Sequence, residues 1–145
     1  GACDEKDQYF LHLKSLISFY QLNDKIIFKN QVEESILYDF YAKADLFLML
    51  HINEGNKFEG FGLVYLEANA CGVPCIGAKH SGAEDAILDG KTGYLIESHL
   101  AKDVAVKIDL ILNKQMINSD DCVHWAKLND INIKINELLE VYKKN

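Results

Sequence analysis

Apolar positions recur along this chain with two alternating periods. Tyr9, Phe10, Leu13, Leu16, Ile17 and Tyr20 fall at helical spacing, with Asp4 upstream as a candidate N-cap. Asn23-Asp24 breaks that run, and Lys25-Ile26-Ile27-Phe28-Lys29 reads as a short strand. A second helix is predicted with Ile36, Leu37, Phe40, Tyr41 and Ala44 on one face. Leu46-Phe47-Leu48-Met49-Leu50 is uninterrupted apolar sequence, the pattern of a strand buried on both faces. After a polar loop at 51–58, Glu59-Gly60-Phe61-Gly62 leads into a helix through about Ala70, ended by Gly72. A strand at 73–78, a short helix at 83–88, a turn at 89–93 and the strand Tyr94-Leu95-Ile96 follow. The remainder reads as helices broken near Asn118-Ser119 and Asn129-Asp130.

Strands alternating with helices imply right-handed crossovers and a parallel sheet covered on both sides. The expected fold is therefore α/β, a Rossmann-like doubly wound parallel sheet followed by C-terminal helices. It is read as one domain over 1–145, with the sheet portion at 1–98 and the helical portion at 99–145. Ligands of such sheets bind outside the carboxyl ends of the strands. Leu50 and Ala78 end their strands there, so loops 51–62 and 79–85 are expected to line a site.

Composition narrows what that site can hold. The chain has 145 residues and a formal charge of −7, which argues against a nucleic-acid partner. All 15 basic residues are Lys, so a phosphate would meet Lys as a point charge or backbone N–H groups, never a guanidinium fork. Cys3, Cys71, Cys75 and Cys122 lack the spacing of a redox pair or a zinc knuckle. They read as reduced core thiols of a cytoplasmic protein, and no apolar run approaches a membrane span of about 20 residues. A peripheral role at a membrane surface stays compatible with this.

The chemistry concentrates between Glu59 and Glu67. Gly60-Phe61-Gly62 stands between a loop and a helix, where unpaired N–H groups and the helix dipole favour an anion. Glycine at a helix start is also common for steric reasons alone. Glu67 interrupts an otherwise apolar helix, on the stripe shared by Leu63 and Cys71. Either it accepts hydrogen bonds from a ligand such as a ribose diol, or it faces solvent or pairs with a Lys; physics alone weighs these equally. Glu59 is a second carboxylate, able to accept from sugar hydroxyls or simply to complement the helix dipole. His51, His80, Lys57 and Lys79 lie in the ligand-side loops but read first as surface residues, and the five His show no metal-ligand spacing. His12, His99 and His124 read as structural.

The run Glu59-Gly-Phe-Gly-Leu-Val-Tyr-Leu-Glu67, continued by Ala68-Asn-Ala-Cys-Gly-Val-Pro74, resembles retaining GT-B glycosyltransferases of family 4, also called group 1. The similarity continues through Phe40-Tyr-Ala-Lys-Ala-Asp45, Gly82-Ala-Glu-Asp-Ala-Ile87 and Asp89-Gly-Lys-Thr-Gly93. It covers most of 1–98, with a fainter match from Trp125 to Tyr142. The resemblance implies a C-terminal, donor-binding domain that takes a nucleotide-sugar donor and needs no further cofactor and no metal. Glu59 would then be the catalytic-site carboxylate, holding hydroxyls of the transferred sugar. Glu67 would bind the ribose, and Gly60, Phe61, Gly62 and Leu63 would meet the diphosphate. Asn30 and Val32 would flank the base. Asn30 stands where the family usually has Gly, and Ser81-Gly82 where it has a Gly pair.

By the same resemblance, the domain would open with a strand and a basic loop carrying an Arg and a Lys for the donor phosphates, preceded by an N-terminal acceptor domain. None of these is in the chain, so it is read as an N-terminally truncated piece, without transferase activity by itself. Two other readings remain: a nucleotide-binding domain without transfer, and an interaction module that dimerises through an exposed sheet edge.

Overall fold

The computed structural model describes residues 6–50, 62–97 and 100–143. It falls into two compact units, residues 1–37 and 38–145, divided within the second helix. Asp4 and the loop at 51–58 lie outside the described residues.

In the first unit, helix α1 (Gln8–Phe19) starts at Asp7, whose carboxylate accepts from the Tyr9 N–H at 2.9 Å. Asp7 therefore caps the helix that Asp4 was expected to cap. The expected strand at 25–29 is not found: Lys25 closes a turn on the Leu22 carbonyl, and 26–29 take no ladder partner among the described residues. Its side chains turn onto α1 instead. Phe28 meets the buried Phe10 edge-on, with centroids 4.8 Å apart. Ile26 and Phe28 close an apolar groove of about 410 Å³ with Leu13, Leu16, Ile17, Tyr20 and Leu22. Partial cover of Ile26 and Phe28 by a helix answers the same short apolar run that a strand would.

Helix α2 (Glu34–Lys43) carries the predicted apolar face and leads into the second unit. There β1 (Phe47–Met49), β2 (Cys75–Ala78) and β3 (Gly93–Ile96) form a parallel sheet in the order β1-β2-β3. Phe47 pairs with Cys75, and Cys75 with Gly93. Helices α3 (Leu63–Ala70) and α4 (Ala83–Ala86) connect the strands and share one face. Tyr65, Leu66, Ala68, Ala83, Ala86 and Ile87 form a single buried cluster with Cys75. The alternate residues Ile76, Tyr94 and Ile96 face the other way, against Ile111 of α5 (Ala101–Leu112). Helices thus cover both faces, the doubly wound arrangement expected from the sequence.

β1 departs from expectation. Leu48 is 43% exposed, so the apolar run at 46–50 is not buried on both faces. The second face is covered over β2 and β3, where Val104 and Ile108 of α5 pack, and left open at Leu48.

Helix α6 (Ser119–Leu128) is capped by Asn118, and α7 (Ile131–Lys143) begins where Asp130 accepts from the Asn132 N–H at 2.8 Å. The two predicted breaks lie at these caps. α6 packs along α3 and inserts Trp125, whose indole N–H donates to the Ala86 carbonyl at 2.8 Å. α7 keeps its apolar residues outside, with Ile131 67% and Val141 58% exposed. No described helix is long and apolar enough to cross a membrane.

Gly93 is fixed by close approach: a Cβ there would overlap the Cys75 backbone across the β2–β3 ladder. Gly93→Ala should destabilise the second unit by about 1–3 kcal/mol, whereas Leu48→Thr should change stability by less than about 0.5 kcal/mol. Urea unfolding followed by the fluorescence of Trp125, the sole tryptophan, checks both.

Candidate functional site

In a parallel sheet all strands end at one edge, and here the starts of α3 and α4 meet there. Gly62 caps α3 in the left-handed conformation, φ 73° and ψ 45°, with no side-chain capping bond. A Cβ on Gly62 would lie 2.8 Å from the Tyr65 ring and 3.3 Å from the Gly82 carbonyl. Both the dihedral and the space therefore call for glycine. Gly62 and Gly82, the residues before two successive helices, are neighbours at the carboxyl edge. Among the described residues nothing accepts from the Leu63 or Val64 N–H groups, as the first turn of a helix allows.

α3 is held on the sheet by Tyr65. Its side chain is fully buried, and its hydroxyl donates to the Met49 carbonyl at the end of β1, 2.7 Å away. The buried Asn69 fastens the other end, donating to the Val73 carbonyl at 2.9 Å and the Thr92 carbonyl at 3.3 Å. With those inward positions fixed, Leu63 and Glu67 must face outward. Leu63 is 63% exposed, and Glu67 is exposed as well.

Glu67 has a defined partner nonetheless. The Tyr41 hydroxyl, from α2, donates to its Oε2 at 3.1 Å. No ion pair reaches Glu67 among the described residues. Burial, together with the Glu67 carboxylate beside it, pushes the Tyr41 hydroxyl up to about 12. Tyr41 is therefore a proton donor across the neutral range.

Glu67 also borders a groove of about 820 Å³ between α3, α6 and the start of α7. Leu66, Ala70 and Ala126 give it an apolar floor, and Asp85, Lys127 and Lys134 stand on its rim. The pattern of the sequence did not reveal these rim residues, because they come from elements far apart in the chain. Tyr41 was legible only as part of an apolar helix face, since its bond to Glu67 spans 26 positions.

Of the residues singled out in the sequence, Gly62, Leu63 and Glu67 come together on α3. Glu59, Gly60 and Phe61 lie outside the described residues, as do His51, Lys57 and His99. Asn30, exposed, and Val32, half-buried, belong to the first unit, in the irregular segment before α2. His12 and His124 are exposed on α1 and α6, so neither serves the core. Lys79 forms an ion pair with Glu97 at 2.9 Å. Ser81, at the position of a family glycine, accepts from the Ala83 N–H at 3.2 Å and donates to the Ala78 carbonyl at 2.7 Å, so the hydroxyl fixes the turn into α4.

Cys71, Cys75 and Cys122 are free thiols, each pushed upward by burial and, for Cys122, by the nearby Asp121 charge, to about 11. They are protonated at neutral pH and behave as small hydrophobes. Among the described residues no group of three His, Cys, Asp or Glu could hold a metal ion.

Comparison with known proteins gives a consistent picture. Residues 3–128 match the family described as glycosyl transferases group 1. A D-inositol 3-phosphate glycosyltransferase of Arthrobacter sp. (strain FB24) is 34% identical over 108 residues, 74% of this chain and 24% of its own length. A GDP-mannose-dependent alpha-(1-6)-phosphatidylinositol monomannoside mannosyltransferase of Mycolicibacterium smegmatis is 35% identical over 91 residues, covering 61% of this chain and 24% of its own. The chain thus spans about a quarter of these curated relatives. Among solved structures, sucrose-phosphate synthase from Thermosynechococcus elongatus superposes with a TM-score of 0.73 at 22% identity, over 100% of this chain and 38% of that one. Anabaena HepE in complex with UDP-glucose gives 0.70 at 20% identity, over 97% and 38%. These likenesses show the fold.

The titrations carry a stability consequence. Cys122 and Tyr41, ordinarily near 9.0 and 10.0, keep their protons to about 11 and about 12 in the folded chain. A group whose folded value is raised stabilises fully below its unfolded value, and the effect is lost as pH climbs through the folded one. The thermal midpoint should therefore fall as pH rises from about 9 toward 12, and Cys122→Ala should flatten the lower part of that decline. Calorimetry or circular dichroism across the range measures it.

Proposed function

The chain belongs to the glycosyl transferases group 1 family, and from that premise we propose that it is the nucleotide-sugar-binding part of a retaining GT-B hexosyltransferase. Its acceptor would be a glycan, a lipid or a small molecule. The observation that carries the reading is the start of α3. An uncapped helix N-terminus with a left-handed glycine stands one turn before an outward carboxylate that makes no ion pair among the described residues.

Each part has a task that its chemistry suits. The Leu63 and Val64 N–H groups, at the positive end of the helix dipole, would take an oxygen of the donor diphosphate. In a chain without arginine the backbone would provide much of that contact. Glu67 would accept from the ribose cis-diol, which offers two donors to one carboxylate. Glu59 would hold hydroxyls of the transferred hexose close to the reacting carbon, and Asn30 and Val32 would flank the base. The donor would be the sole small-molecule requirement, with no further cofactor or metal, as the resemblance to the family implies. The protonated, unpaired thiols suit a cytoplasmic enzyme, one that could work at a membrane surface if its acceptor were a lipid.

What supports this reading from outside the chain is that the relatives are named for sugar transfer and that HepE was solved in complex with UDP-glucose. The 145 residues would bind donor without transferring it, since the relatives are about three times as long and the acceptor domain would come from the rest of the parent enzyme. The position of β1 at the end of the described sheet favours one competing reading, self-association through β1.

Calorimetric titration of UDP-glucose and of GDP-mannose into the chain and into Glu67→Ala separates these. Saturable binding of one donor, weakened about tenfold or more by the substitution, is expected, with no hexose transferred by the chain alone. Binding indifferent to the substitution, or a concentration-dependent dimer that ignores both donors, would count against the donor site.

A further inference from the structure

We infer that Tyr41 is a positioning residue for the donor site: its hydroxyl fixes the Glu67 carboxylate so that the remaining acceptor positions face a nucleotide cis-diol. The inference rests on the donor-site reading above and names the residue that gives that site its preference for ribose.

Glu67 stands at an exposed position on the second turn of α3. A glutamate there has three rotatable bonds before its carboxylate, and solvent alone would leave it in several rotamers. Holding the group in one orientation is worth more to a ligand than its presence, because the ordering cost is then met before binding. Tyr41 is built to do this. Its ring lies edge-on to Phe47 of β1, centroids 5.7 Å apart at 62°. Phe47 lies edge-on to Tyr65, 5.6 Å apart at 80°. Tyr65 is tied in turn to the end of β1 by its 2.7 Å hydrogen bond to Met49. The half-buried ring of Tyr41 is therefore braced against the sheet, and only its hydroxyl reaches the exposed carboxylate, at 3.1 Å.

The stoichiometry of the hydrogen bonds fits the diol. A carboxylate has about four lone-pair sites, and the tyrosine takes one of them, on Oε2. The other oxygen is left whole, and Oε2 keeps one further site. Two neighbouring hydroxyls in cis can use both oxygens at once, whereas a single hydroxyl can use one. The tyrosine donates and accepts nothing from the carboxylate, so it orients the group without competing for the ligand's protons. Packing alone does not account for the residue, because Phe47 is met by the ring and the hydroxyl adds nothing to that contact.

The test compares wild type, Tyr41→Phe, Glu67→Ala and the double variant of the whole chain. UDP-glucose and GDP-mannose are each titrated beside their 2′-deoxyribose counterparts. Tyr41→Phe keeps the ring on Phe47, so its thermal midpoint should match wild type. It should nonetheless weaken the ribonucleotide donor about tenfold and leave the 2′-deoxy donor unchanged. The double variant should bind no more weakly than Glu67→Ala. Independently of ligand, the tyrosine that titrates at about 12 should vanish in Tyr41→Phe and return toward 10 in Glu67→Gln, read by ultraviolet or carbon-13 titration. Equal weakening of ribo and deoxy donors, or additive loss in the double variant, would overturn the positioning role while leaving the donor site standing. Absence of saturable binding to any donor by wild type would instead sink the donor site, and this inference with it.

Discussion

The hydrogen bond from Tyr65 to the Met49 carbonyl fixes more of this molecule than any other single contact. It joins α3 to the last residue of β1, a link between helix and sheet across 16 positions of sequence. Once Tyr65 is buried under the sheet face, the rotation of α3 about its axis is settled. Leu66, Ala68 and Asn69 then point inward, while Leu63 and Glu67 point outward. Gly62 is pressed against the Tyr65 ring so closely that no side chain fits. The outward carboxylate and the need for glycine before α3 both follow from the seating of one aromatic residue.

The sheet beneath carries a comparable constraint. β3 lies so near β2 at Gly93 that a methyl group would strike the Cys75 backbone. That closeness lets the buried Asn69 reach both the Val73 carbonyl and the Thr92 carbonyl. One amide thus closes the α3–β2 turn and pins the entry to β3. α6 completes the face by laying Trp125 on the Ala86 carbonyl and the buried Cys122 against the same core. The C-terminal helices accordingly form one wall of the groove beside Glu67, although they read from the sequence as an appended helical portion.

Elements whose signals are local were legible in the sequence. The capping residues Asn118 and Asp130, the end of α3 at Gly72 and the three sheet strands all lie where spacing and residue type placed them, within a residue or two at their ends. Failures came where the deciding partner was distant or competing. Ile26 and Phe28 belong to a short apolar run that a strand would also show, yet line a groove on α1, because a run of apolar residues states that they need a partner and not which one. Asp4 and Asp7 are both acceptable caps by type, and only the register of the helix chooses. Leu48 belongs to an apolar run, and its exposure depends on how far α5 extends over the sheet, which no local pattern contains. In the candidate site, helical spacing placed Glu67 with Leu63 but left its direction open, and neither its exposure nor its partner Tyr41 was legible.

Within these 145 residues no arginine stands beside α3, and this gives the details of its start their weight. A guanidinium fork holds a phosphate by charge and geometry together and tolerates some looseness in its surroundings. A backbone cradle is different: each N–H points where the helix sends it, and a misplaced helix start cannot be corrected by a flexible side chain. A donor site that relies on the first turn of α3 therefore needs that turn to be rigid before a ligand arrives. In the proposed donor site that rigidity would come from below, through the braced series Tyr41, Phe47 and Tyr65 and the bond to Met49. The same series that steadies the proposed phosphate contact ends in the hydroxyl that orients Glu67. Diphosphate and ribose would thus be met by two groups held to one strand end, so a shift in either would be felt by both.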